Sequence, residues 1–312
     1  MADPSPTAHA PSRGRAAVSL AIGVIGIAGA AVFVRWSGVS GIVSAFYRLA
    51  FASLVLVPWR LLSSRRAPEI TPEARRAAII SGILFGADLA FFNSAIMATS
   101  AANAVLLGGN APIFVAFGSW LMYGERPTQR FWMGFLVALL GVIAIVGADV
   151  VLHPSLGVGD ALATAGAVCY GVYILWVRRS RLAMDTLTFS AWSTAVGAVC
   201  LFVLCVISKQ PLGGFSARSW ASLIALALTS QVVGQLFIAH ALGGLPATLT
   251  SIVLLGQAPL TALIAWPLLG ERIRPGQLAG GLLVLVGIAI VSLSHVTPRI
   301  VFQRLRQGRS TS

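Results

Sequence analysis

"AVLLGGNAPIFVAFGSWLMYGER", residues 104–126, has a second copy in the chain: "SIVLLGQAPLTALIAWPLLGER", residues 251–272. Pro112 aligns with Pro259, Asn110 with Gln257 and, after a one-residue gap, Glu125 with Glu271. Beyond the copies, Gly134 and Gly141 align with Gly280 and Gly287. A match at corresponding places in two halves marks an internal repeat, and the kind of repeat follows from what lies around it.

The surroundings are apolar. Of 312 residues, 57% are hydrophobic and 10% charged, where a soluble domain carries about 25% charged residues. Mean hydropathy is +0.87. About 20 apolar residues cross the hydrocarbon core, and ten such spans are predicted: 17–36, 40–59, 77–97, 101–122, 130–149, 158–177, 187–207, 219–241, 247–269 and 276–294. The matched stretches make the fourth and fifth spans counterparts of the ninth and tenth. Five spans per half is odd, so the halves enter the membrane in opposite senses. The fold expected is an all-α integral membrane protein with ten transmembrane helices as two inverted five-helix repeats. The first repeat covers 17–149 and the second 158–294, with a linker at 150–157. Residues 1–16 and 295–312 read as cytoplasmic tails, the latter basic. "GIAGAA" in the first span loosely resembles a signal-peptide cleavage site, but the repeat requires that span.

Arginines set the orientation. With the N-terminus in the cytoplasm, sixteen of the 22 basic residues lie in cytoplasmic segments and five in outer ones. Arg48 alone lies inside a span. Both termini are therefore expected in the cytoplasm, and the net charge of +13 is a topology signal, not a nucleic-acid footprint. Cys169, Cys200 and Cys205 fall in apolar spans with no metal or disulfide spacing. The four histidines are scattered, and the one lysine, Lys209, sits in "VISKQ", outside any phosphate-binding loop. No segment between spans is long enough for a nucleotide-binding domain. No cofactor or metal is expected. Inverted repeats of this kind are a signature of secondary transporters, with the site near the midplane between halves.

Two five-span halves, each closing with an "AP" helix, a "GE" turn and a glycine-bearing last span, resemble the EamA family of the drug/metabolite transporter (DMT) superfamily. "SAFYRLAFASLVLVP" (44–58) is similar to that family's second span, which often carries an arginine. "LGVGDALATAGAVCYGVYILWVRR" (156–179) is similar to the start of its second repeat. The resemblance covers roughly residues 17 to 296. It implies a ten-helix carrier in the cytoplasmic (inner) membrane, usually an exporter of metabolites, amino acids or toxic compounds. An uptake carrier of the same fold, or a non-transporting membrane enzyme or assembly subunit, is the alternative. The expected partners are a small-molecule substrate and the lipid bilayer, with protons or a counter-transported solute for coupling and a homodimer as an oligomeric option.

The polar residues inside the spans are the candidate site. Asp88, in "SGILFGADLAFFNS" (81–94), and Arg48 fall at about the same depth, ~15 Å from the membrane surface at 1.5 Å per residue. A lone charge there costs at least ~2.5–3.5 kcal/mol, so the two read as a static ion pair or a coupling site. The Asp88 counterpart lies near Gly234, so such a role belongs to one half. Pro112 and Pro259 remove a backbone donor mid-span and kink or open the helix. Asn110 and Gln257, two residues before them, are candidates for a substrate pocket or for interhelical bonds. Asn93, Asn103, Tyr170, Gln231 and Gln235 are further pocket candidates, the two glutamines one helical turn apart. Glu125 and Glu271, each followed by arginine, read as salt-bridge or helix-cap residues at span ends. The arginine count makes a concrete prediction. A reporter active only outside the cytoplasm should be silent when fused at the C-terminus and active when placed in the 208–216 loop; the reverse pattern contradicts the orientation.

Overall fold

The structure is a computed structural model that describes residues 11–63, 70–98, 107–146, 157–269 and 275–307. In hydrocarbon each backbone amide must be satisfied within its own segment, and the apolar stretches accordingly fold as helices. The first repeat contains α1 (Arg13–Ala28), α2 (Ala30–Ser37), α3 (Gly41–Leu62), α4 (Pro72–Ala98), α5 (Ala111–Tyr123) and α6 (Gln129–Val146). The second contains α7 (Val158–Arg181), α8 (Thr186–Ile207), α9 (Ala217–Leu226), a π-helical segment (Ala227–Gln235), α10 (Leu236–Leu242), α11 (Ala247–Leu254), α12 (Gln257–Leu269) and α13 (Pro275–Gln307). Helices α1 and α2 form the first span, α9 to α10 the eighth, and α11 with α12 the ninth. Among the described residues, eight spans are long and apolar enough to cross a membrane, and the helices 111–123 and 129–145 are shorter apolar ones. This is an all-α membrane protein of ten spanning helices in two inverted repeats. The last helix runs past residue 294 to Gln307.

Side-chain caps open several helices. Ser40 accepts from the Val43 amide, Asp185 from Thr188 at 3.0 Å and Ser216 from Ser219 at 3.1 Å. Gly38 and Gly124 close α2 and α5 in the left-handed region, at φ 62° and 68°. The ninth span is interrupted before its proline: Leu255 and Gly256 turn through bonds to Ile252 and Val253, and α12 starts afresh at Gln257. The fourth span does the same. The Asn110 amide bonds to Leu107, and α5 starts at Ala111 with Pro112 in its first turn, where a missing N–H is harmless.

The packing obeys the two-fold relation between repeats. The third span packs on the sixth as the eighth packs on the first, while the second pairs with the seventh and the fifth with the tenth. Outward faces carry large apolar side chains such as Leu54, Leu121, Leu140, Val199 and Leu282, which suits lipid. Helices α6 and α13 cross at glycines. A Cβ on Gly141 would lie 2.5 Å from the Gly280 carbonyl oxygen, and one on Gly280 would lie 2.5 Å from that of Gly141. Backbone, not a flexible side chain, blocks the space, so small residues set this approach. Gly141→Val should therefore lower the thermal unfolding midpoint of purified protein, with an overpacking cost of about 1–3 kcal/mol. Gly213→Ala, whose Cβ would meet nothing within 4 Å, should leave it unchanged. Equal midpoints for Gly141→Val and the parent would contradict the crossing.

Candidate functional site

Arg48 lies on the inward face of α3, between buried Ala45 and Leu49. A buried guanidinium needs acceptors. Its Nε donates to Gln231 Oε1 at 3.1 Å, and its charge lies over the Phe85 ring, 5.6 Å from the centroid. Phe85 stacks on Tyr173 with centroids 4.7 Å apart, and Tyr173 stacks on Tyr170 at 5.8 Å. Tyr173 Oη donates to Gln235 Oε1 at 3.4 Å, and Tyr170 reaches the same amide. Gln231 and Gln235 are buried in the π-helical segment. Its i→i+5 turns are wider than those of an α-helix and occur frequently at functional sites.

Asp88 borders the same cluster. It lies one turn beyond Phe85 on α4 and interacts electrostatically with Arg48, Tyr170, Tyr173 and Cys169. Its Oδ1 is 3.6 Å from where a Cβ on Gly166 would stand, so it faces α7. Among the described residues no direct ion pair joins it to Arg48, whose Nε is turned to Gln231 instead. Asp88 is half-buried. Arg48 is held by an amide, and no hydrogen bond to the Asp88 carboxylate is present among the described residues.

The cluster draws on both repeats: Arg48, Phe85 and Asp88 from the first, Tyr170, Tyr173, Gln231 and Gln235 from the second. It therefore lies on the seam between the halves. Other sequence candidates stand elsewhere or in other roles. Asn93 donates Nδ2 to the Gly41 carbonyl at 2.8 Å and fastens α4 to the start of α3. Asn110 is half-buried at the N-cap of α5, and Pro112 behind it is buried. Gln257 is exposed at the head of α12, and Pro259 lies 3.3 Å from the Cβ position of Gly281. Asn103 lies outside the described residues. Sequence reasoning missed Tyr173 and Phe85. Their signal was helical spacing, three residues from Tyr170 and from Asp88 respectively. A separate concavity of about 400 Å³ lies between α2 and α9, lined by Phe33, Trp36, Arg218, Ala221, Ser222 and Ala225. Apart from Arg218 and Ser222 its walls are apolar, so the buried polar cluster is the better candidate site.

A ten-span inverted repeat with a polar cluster on its seam is the architecture of a membrane carrier, and the comparisons agree. The sequence pattern of the EamA-like transporter family matches residues 14–147 and again residues 157–293, so the chain belongs to that family. It is 24% identical over 256 residues to the uncharacterized transporter YyaM of Bacillus subtilis (strain 168), covering 80% of this chain and 83% of that one. It is 26% identical over 194 residues to a probable terminal-alkyne amino-acid exporter of Streptantibioticus cattleyicolor, covering 62% of this chain and 64% of that one. A solved crystal structure of a protein superposes with a TM-score of 0.74 at 21% identity, over 90% of this chain and 98% of the other, which shows the shared fold. The chain is thus a multi-pass membrane transporter, with a small-molecule substrate and the lipid bilayer as partners.

The Arg48–Gln231 bond generates the next prediction. Gln231→Leu strands a buried donor, so it should destabilise the protein by about 1–3 kcal/mol. Arg48→Met combined with Gln231→Leu should cost less than the sum of the two single changes. A double-mutant cycle on the unfolding midpoint measures this coupling; additive effects would contradict the bond.

Proposed function

We propose that this chain is a secondary active transporter that works by alternating access around the Arg48–Asp88–Gln231 cluster. The carrying observation is a polar and aromatic cluster drawn from both inverted repeats. Rocking one repeat against the other exposes such a seam to each side in turn. The cargo is a small metabolite, amino acid or drug-like compound. Asp88 offers a carboxylate to a cationic group, Arg48 a positive charge to an anionic one, and the Tyr170–Tyr173–Phe85 stack an aromatic wall. An amino acid carries both charges, and the similarity to a probable amino-acid exporter of Streptantibioticus supports that class. Export is the favoured direction, driven by the substrate gradient or by exchange with protons or another solute. Asn110 and Gln257, at the heads of the two interrupted half-helices, serve as further polar contacts along the path. The arginine distribution supports an inner-membrane location with both termini cytoplasmic.

Flux in proteoliposomes tests the reading. Protein reconstituted with a panel of labelled amino acids and metabolites should exchange at least one of them faster than empty liposomes do. Asp88→Asn, which removes the charge offered to the cargo, should reduce both gradient-driven flux and counterflow exchange about ten-fold or more, the ratio for losing roughly 1.4 kcal/mol. A panel that never exceeds empty liposomes contradicts the carrier reading. Increased sensitivity of overexpressing cells to a toxic substrate, with faster uptake of label, indicates import instead.

A further inference from the structure

We propose that Arg178 and Glu125 form a clasp that decides from which face the chamber opens; this rests on the alternating-access reading above. The two residues come from different repeats. Glu125 follows α5 in the first, and Arg178 lies in the last turn of α7 in the second. Their contact is a fork: Arg178 Nη1 donates to Glu125 Oε2 and Nη2 to Oε1, both at 2.7 Å. Paired parallel bonds of this kind fix geometry as well as energy. The guanidinium also lies over the Tyr123 ring at 4.6 Å, and Tyr123 Oη donates to the Leu175 carbonyl at 2.8 Å.

Helix α5 gives the clasp its reach. It is a 13-residue half-helix, detached from the preceding chain by the turn at Gly109–Asn110. At 1.5 Å per residue it is about 20 Å long. One end carries Asn110 and Pro112 in the bundle, and the other carries Tyr123 and the clasp. Between them α5 lies flush on α7 at two glycines. A Cβ on Gly171, beside Tyr170, would meet Ala111 O at 3.1 Å, and one on Gly118 would meet Leu175 Cδ1. The seam between α5 and α7 is thus closed from the chamber to its mouth, and the ion pair is its last contact. The pair is also breakable. The two side chains are 18% and 40% exposed, so water can take over their hydrogen bonds when they part, without the penalty of a buried charge left alone. A clasp needs that combination of defined geometry and low desolvation cost.

Cys169 reports on the cluster, because it lies one helical turn from Gly166, where α7 packs on Asp88. In a Cys200→Ala, Cys205→Ala background, a membrane-impermeant thiol reagent is added separately to each face of sealed vesicles. With the pair intact, Cys169 should react slowly from the Glu125 face. Arg178→Gln should raise that rate about ten-fold, the ratio for roughly 1.4 kcal/mol. Arg178→Lys, which keeps the charge but loses the fork, should give a smaller rise and covers the case in which Arg178→Gln does not fold. The exchanged pair, Arg178→Glu with Glu125→Arg, should return the rate toward the slow value. A rate from that face left unchanged by the single variants, or an exchanged pair as fast as Arg178→Gln, overturns the clasp. The labelling needs no substrate. A clasp that responds in a protein without flux therefore separates failure of the transport reading from failure of this one.

Discussion

A charged side chain within a membrane-spanning bundle must find partners inside the protein. Arg48 is the residue on which this constraint acts most strongly here. It is buried on α3, and its partners are a glutamine of the eighth span and an aromatic face of the third. Satisfying it draws together α3 and α4 of the first repeat and the π-helical segment of the second. The tyrosines of α7 then fill the remaining wall and satisfy the second glutamine. The polar cluster sits on the seam between repeats because neither repeat alone supplies enough partners.

The two-fold relation organises the scaffold but is broken at the site. Near Gly234, where the counterpart of Asp88 falls, the eighth span packs so closely on the first that a Cβ on Gly26 would lie 2.8 Å from the Gly234 Cα. At Asp88 the corresponding crossing is looser, with contacts of 3.6 Å at Gly166. One crossing is therefore a backbone-to-backbone contact and the other leaves room for a carboxylate. The helices follow the two-fold relation, and the side chains at the cluster do not.

Much of this was legible in the sequence because the bilayer imposes simple rules on length and hydropathy. The ten spans, the inverted repeat and the family follow from apolar run lengths and from the paired "AP" and "GE" signatures. The interruptions before Pro112 and Pro259 lie where the missing amides are. Depth arithmetic placed Arg48 and Asp88 at one level, but depth says nothing about azimuth. Arg48 turned to Gln231, 183 positions away in sequence, through a pairing of the second and eighth spans that no local pattern records. The π-helical turns were likewise invisible, since α and π backbones draw on the same residue types. Asn93 reads as a pocket amide by composition, yet it bonds a backbone carbonyl at Gly41, a choice set by how closely two helices approach.

The central claim is that cargo is held by the cluster on the seam, and equilibrium binding tests it most directly. Purified protein is screened for metabolites that raise its unfolding midpoint. A ligand at 100 times its Kd stabilises by about 2.7 kcal/mol. The account predicts that a stabilising ligand loses most of its shift in Asp88→Asn and in Gln231→Ala, each compared with its own ligand-free midpoint. A ligand that shifts both variants as much as the parent would contradict it.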